Sequence, residues 1–234
     1  MSEGNTKGLG SMWKEIVTSI EELTIAGCYE KVNRVISLGL VSRLRRKTAS
    51  IVEGDVLLDA GCGPGTSTDA VRQAHEHSRL VMLDPSGLML SSAWGRHRSP
   101  QTLAVLGRFE RLPLRDESVQ GIVAMFSFRD AVNYKEAIEE FARVLAPGGR
   151  VAILDFYRPG RLWKILLKTY LAVMVPVAVV LSRCWGRLGM YRGFLDTIDR
   201  MLTRDEIEAF FGKHFKRVEI RNVVPGLGII VAEK

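Results

Sequence analysis

The stretch of this sequence best able to do chemistry is Leu58-Asp59-Ala60-Gly61-Cys62-Gly63-Pro64-Gly65-Thr66. Glycines at alternate positions let the backbone turn sharply and approach a ligand, and an acid two residues before the first glycine puts a charge at the turn. Nicotinamide, flavin and sulfonium cofactors all use a glycine-rich turn between a strand and a helix, so spacing has to discriminate among them. The dinucleotide pattern Gly-x-Gly-x-x-Gly is not met, because residue 66 is Thr. A second acid, Asp84, closes an apolar run 19 residues after Gly65. There a carboxylate accepts both hydroxyls of a ribose, which points to a nucleoside ligand.

The elements around these residues read as alternating strands and helices. Val56–Asp59 is an apolar run, the glycine turn follows, and a helix runs from Thr66 to His75. Leu80–Asp84 repeats the unit, with Ser86 as N-cap of a helix to about Trp94. Next come the runs Leu103–Leu106 and Gly121–Phe126, a helix Tyr134–Leu145, a turn at Pro147-Gly148-Gly149 and a strand Val151–Asp155. Thr203 opens a late helix, and Arg217–Asn222 and Gly228–Ala232 close the chain as strands. This alternation predicts an α/β protein with a parallel sheet covered on both faces. Residues 1–50 read as a helical extension: Trp13, Ile16, Ile20 and Leu23 keep helical spacing to Gly27, a second helix covers Tyr29–Leu38, and a third carries Arg43, Arg45, Arg46 and Lys47.

Composition bounds the rest. With 234 residues, 47% hydrophobic and 25% charged, the chain is one large domain or two small ones, and disorder, collagen and coiled coil are excluded. Cys28, Cys62 and Cys184 form no CxxC pair, so the thiols are expected to be free in a reducing compartment. The N-terminus shows no secretory or transit pattern, and the chain reads as cytoplasmic. The longest uncharged apolar run, Thr169–Leu181, is shorter than the ~20 residues a hydrocarbon core demands, and no span is expected.

There are 33 basic against 26 acidic residues, and the whole excess of +7 sits in 158–192, which holds Arg158, Arg161, Lys164, Lys168, Arg183, Arg187 and Arg192 without an acid. That segment is also rich in long aliphatics. A core helix flanked by solvated charges, a membrane face and a nucleic-acid patch are its competing readings. The long aliphatics, and the lack of an aromatic-and-glycine base-stacking pattern, argue against nucleic acid. His75 and His77 are two apart and share no helical face, so no metal site is expected.

Taken together, the Asp59–Gly65 motif, Asp84, the Glu110-Arg111-Leu112-Pro113-Leu114 turn and Leu145-Ala146-Pro147-Gly148-Gly149-Arg150 resemble the class I S-adenosylmethionine-dependent methyltransferases. The resemblance implies a Rossmann-like, mostly parallel seven-stranded sheet over 51–234 and S-adenosylmethionine as cofactor, released as S-adenosylhomocysteine. It implies a cofactor set of Asp59, Gly61, Cys62, Gly63, Gly65, Thr68, Asp84, Pro85, Arg108, Phe109 and Met125. Cys62 fits there as a small packing residue, since methyl transfer from a sulfonium needs no covalent intermediate. Where an acid often receives the adenine amino group, this chain has Arg108, a donor only. Adenine recognition then falls to the backbone near Phe109, to aromatic stacking or to Glu110.

A narrower resemblance covers Tyr29 to Lys234. Tyr29–Leu40, Phe126-Ser127-Phe128-Arg129-Asp130-Ala131-Val132, Asp155-Phe156-Tyr157-Arg158-Pro159 and Tyr191-Arg192-Gly193-Phe194-Leu195 are similar to blocks of the ubiquinone/menaquinone biosynthesis C-methyltransferase family. Two positions depart from it: Asp155 stands where the family usually has Glu, and Asp130 where it has Asn. The resemblance implies ring-carbon methylation of a prenylated quinol. Asp130 and Tyr157 become the candidates for handling the proton and Arg129 for holding the developing anion, although Arg129 and Asp130 could instead simply pair with each other. It also implies that 158–192 caps the substrate site as a lid touching the membrane surface. The alternatives are a phospholipid amine or another lipophilic small molecule as substrate and, further off, RNA or cofactor binding without turnover.

Overall fold

The computed structural model of the chain describes residues 18, 20–22, 24, 25, 27–184 and 198–234. Seven strands form one sheet in the order β3-β2-β1-β4-β5-β7-β6: β1 (Val56–Ala60), β2 (Arg79–Asp84), β3 (Thr102–Leu106), β4 (Val119–Met125), β5 (Leu145–Phe156), β6 (Arg217–Val224) and β7 (Leu227–Glu233). The first five run parallel, and β7 lies antiparallel to β5 and β6. The helices, numbered along the chain from Tyr29, are α1 (Tyr29–Ile36), α2 (Leu40–Ala49), α3 (Thr66–Ala74), α4 (Gly87–His97), α5 (Tyr134–Val144), α6 (Arg161–Leu181) and α7 (Arg204–Phe211).

Strand side chains alternate between two cores, as a period of two dictates. Leu58, Ile122 and Ile153 face the layer of α5 and α7, where they meet Phe141 and Phe211. Leu57, Val123 and Ala152 face the opposite layer with Ala49 of α2, Val71 of α3 and Ala93 of α4. The sheet is therefore covered on both faces, and its central strands are apolar without a polar side. The sequence's helix starts are real caps: Ser86 Oγ accepts from Met89 N at 3.1 Å, and Thr203 with Glu206 forms a capping box. Chain order reverses between β1 and β4, which opens a crevice at their carboxyl ends.

Several expectations are corrected. The turn at Pro147–Gly149 is a bulge inside β5: pairing jumps from Val119↔Leu145 to Gly121↔Arg150, with Gly148 at φ 76°. Cys28 and Cys184 are not free thiols but a disulfide, their Cα atoms 6.0 Å apart. It joins the start of α1 to the end of α6, and no local spacing signals a bridge between residues so far apart in sequence. The apolar run Thr169–Leu181 is extended by Arg161–Lys168 into a single helix of 21 residues. Among the described residues it is the one helix long and apolar enough to cross a membrane, with 22% of its most apolar window buried.

The acid-free segment is also less cationic in space than in sequence. Lys164 and Lys168 reach Asp199 at 2.7 and 2.9 Å, and Arg158 reaches Glu206 at 3.3 Å. Of the helix expected over 13–26, the described residues 18, 20–22, 24 and 25 are helical. The block Tyr191–Leu195 lies outside the described residues.

Candidate active site

The glycine turn sits at the crevice. Gly61 and Cys62 donate their amides to the Leu83 carbonyl at 2.7 and 3.0 Å, which pins the turn to β2. Gly61 has φ +70°, and a Cβ there would lie 2.5 Å from Ser127 Cβ, so only glycine fits. Gly65 enters α3 at φ +94°, where a Cβ would come 3.1 Å from Ala93 Cα. At Gly63, by contrast, a Cβ would meet nothing within 4 Å, so the turn's middle faces open space.

The two acids flank that space. Asp59 is fully buried, and its Oδ2 accepts from Ser67 at 2.8 Å and Thr68 at 2.7 Å. Asp59 Oδ1 is buried with no partner among the described residues. Burial pushes the Asp59 carboxyl up to about 6 against the pull of those two hydroxyls. Asp84 accepts the Gly63 amide at 2.8 Å and the Ser86 amide at 2.9 Å, and burial, aided by the Glu21 charge, raises it to about 6. Each Asp84 oxygen keeps lone-pair capacity for a diol. Burial also drives the Cys62 thiol far up, so it packs and does not act as a nucleophile.

A cleft opens over the turn. Gly61, Cys62, Gly63, Asp84, Pro85, Arg108, Phe109 and Met125 line it, whereas Asp59, Gly65 and Thr68 stand behind the lining. Phe109 buries its ring against Phe141, edge to face at 5.7 Å, and Glu110 accepts the Val132 amide at 2.6 Å. The lining also includes Asp130, Tyr29 from α1, Arg45 from α2 and Phe126, whose φ of 61° is strained for a non-glycine residue.

Of the three residues expected at the proton, Asp130 lines the cleft. Burial pushes its carboxyl up to about 6, although the Arg129 charge opposes the shift. Arg129 sits just behind, its Nη1 2.9 Å from Asp155 Oδ1 and its Nε 3.7 Å from Asp130 Oδ1. Burial works against the guanidinium charge, but those two carboxylates hold it firmly protonated. Tyr157 lies outside the lining and donates its hydroxyl to Asn222 Oδ1 at 2.8 Å. No local pattern signals that Tyr29, Arg45 and Phe126 meet in one lining; each sits in an otherwise ordinary helix or just past a strand end.

This fold and this turn define the class I S-adenosylmethionine-dependent methyltransferases. The model of the methyltransferase domain family matches residues 58–153. A demethylmenaquinone methyltransferase of Mycobacterium sp. (strain JLS) is 36% identical over 156 residues, 65% of either chain, so the match spans about two thirds of that relative. The 2-phytyl-1,4-naphtoquinone methyltransferase of Synechocystis sp. is 30% identical over 222 residues, 90% of this chain and 92% of that one. A methyltransferase structure from Thermotoga maritima superposes with a TM-score of 0.64 at 15% identity, over 94% of this chain and 99% of the other, which shows the fold. The chain belongs to the ubiquinone/menaquinone biosynthesis C-methyltransferase family.

The residues present fit that family's cofactor, S-adenosylmethionine. A buried carboxylate oxygen of Asp59 behind the turn has no partner among the described residues, Asp84 presents acceptors to a diol, and a Cβ at Gly63 would meet nothing within 4 Å.

Proposed function

We propose that the protein methylates a ring carbon of a prenylated quinol with S-adenosylmethionine. The observation that carries this reading is the placement of Asp130, a carboxyl with a raised pKa, in the same cleft as the glycine turn and Asp84. When bound, the cofactor supplies a methyl group made electrophilic by the positive sulfur. Gly61, Gly63 and Asp84 would hold its nucleoside end in the cleft that Asp130 and Phe126 also line. Asp130 takes the proton from a quinol hydroxyl, which raises electron density at the ortho carbon for in-line attack. Arg129, held by Asp155, offsets the negative charge that builds on the ring oxygen. Methylation at that carbon gives a neutral dienone; its ring proton then leaves to water while the ring oxygen takes back the proton held by Asp130, which restores the aromatic quinol, frees the base and releases one proton overall. The apolar walls limit water, which favours a reaction joining a cation and an anion into neutral products. Tyr157, bonded to Asn222, packs in the core outside the cleft and takes no part in the proton transfer.

The substrate's tail needs a lipid surface, and α6 offers one. Leu162, Trp163, Leu166, Val173 and Leu181 project to solvent from this helix, while Leu171, Val175 and Ala178 pack inward. A helix anchored to the protein along one stripe and apolar on the other suits contact with a membrane surface. Since Lys164 and Lys168 are occupied by Asp199, the contact is chiefly apolar.

The test is incubation with methyl-labelled cofactor and, in parallel, a demethylated menaquinol, a phospholipid amine and tRNA. Label in the quinol alone is expected; label in the lipid amine or RNA alone overturns the assignment.

A further inference from the structure

Arg45 of α2 is a cation buried to 6% exposure. Its two terminal nitrogens fork onto Glu30, Nη1 to Oε2 at 3.1 Å and Nη2 to Oε1 at 3.4 Å. Nε is buried and has no partner among the described residues. A buried donor on a charged group is costly to leave unmade, so its edge is built for an acceptor that the protein does not supply. The guanidinium lies 5.8 Å from the centre of the Phe126 ring, and both residues line the cleft beside Gly61 and Cys62.

The charge pattern at this end of the cleft is specific. Behind the lining, Asp59 Oδ1 is buried with no partner among the described residues, and the Arg45 charge is near enough to oppose the rise of the Asp59 pKa. An unsatisfied cation edge on a residue of the cleft lining complements the anionic end of a zwitterion. The cofactor carries one, the α-amino acid end of its methionyl tail. We propose that the Nε edge of Arg45 binds the α-carboxylate of S-adenosylmethionine, so that the helical extension before the methyltransferase domain completes the cofactor site. An Arg edge meets a carboxylate with two parallel N–H donors, which Lys cannot reproduce. Glu30 acts as a positioning residue that turns the edge toward the cleft. The proposal rests on the cofactor assignment and is independent of the quinol.

Calorimetry on the full chain tests it with two ligands: S-adenosylhomocysteine, and 5′-methylthioadenosine, which keeps the nucleoside and sulfur but lacks the amino acid end. Arg45→Met is expected to weaken S-adenosylhomocysteine roughly 10- to 100-fold and to leave methylthioadenosine within about twofold. The second ligand also reports that the variant is folded. Equal losses for the two ligands, or no loss for either, overturn the proposal. On the unaltered protein, the analogue of S-adenosylhomocysteine lacking only its carboxyl group is expected to bind roughly 10- to 100-fold more weakly than the parent, and equal affinity overturns the proposal without any variant. Absence of heat with every ligand on the unaltered protein overturns the cofactor assignment and this proposal together. A variant that binds normally but raises only the quinol KM assigns Arg45 to the substrate and overturns the proposal as well.

Discussion

Asp155 holds Arg129 from two directions: its Oδ1 lies 2.9 Å from Arg129 Nη1, and its Oδ2 accepts the Arg129 backbone amide at 2.9 Å. The end of β5 thereby fixes both the position and the side chain of a residue just past β4. Asp155 is 2% exposed and Arg129 is 11% exposed, so the pair is out of water. Removing one partner leaves a buried charge without its neighbour. Asp155→Asn is expected to lower unfolding free energy by about 3 kcal/mol in denaturant titration. Asp155→Glu keeps the charge and should recover most of that loss; a change under about 0.5 kcal/mol for Asp155→Asn would falsify the pairing.

The raised carboxyl of Asp130 sets a pH dependence. Its pKa of about 6 means that it keeps its proton below that value and can accept one only above it. At saturating cofactor, kcat should therefore fall as pH drops through about 6. Asp130→Asn should abolish that limb and lower kcat roughly 100- to 10,000-fold, the range for a general base. A limb that survives in the variant assigns the titration to another group.

Cys28 and Cys184 tie α1 to α6 across a loop of 156 residues. Alkylation without reductant should label none of these three cysteines in the folded protein and Cys62 alone after unfolding, because Cys62 is free but buried. Reduction, or Cys28→Ser with Cys184→Ser, should cost about 2–4 kcal/mol in unfolding free energy. Labelling of Cys28 and Cys184 without reductant contradicts the bridge.

For the α6 surface, Trp163→Glu with Leu166→Glu should weaken flotation with vesicles severalfold, because both side chains are exposed and apolar. With Lys164 and Lys168 already paired to Asp199, binding should persist at about 0.5 M salt, where surface electrostatics are screened. Binding that disappears in salt and ignores the apolar substitutions contradicts an apolar contact.

Much of this architecture can be read from local pattern, because the signals that fix it are local. Ser86 and Thr203 declare helix starts, Gly61 and Gly65 declare positive-φ turns, and the apolar runs of β1, β2 and β4 declare buried parallel strands. What could not be read is what the chain brings together over long separations. Glu30 meets Arg45, Asp199 meets Lys164, and Cys28 meets Cys184 only once the helices are packed. The segment 158–192 therefore read as a basic patch, although its acids come from beyond residue 198. Arg129 read either as a holder of the developing anion or as a partner of adjacent Asp130; it does meet Asp130, at 3.7 Å, but Asp155, brought in by strand pairing, is closer at 2.9 Å. Tyr157 follows β5 directly, but its ring packs in the core of α5 and α7 instead of lining the cleft.

The central claim is that a carbon of the quinol ring, and not one of its oxygens, receives the methyl group. Its most direct test is carbon-13 NMR of the product made from a demethylated menaquinol and carbon-13 methyl-labelled cofactor. The account predicts a label resonating as a carbon-bound methyl, with loss of one ring C–H signal. A label resonating as an O-methyl ether, or a quinol recovered without label, contradicts it.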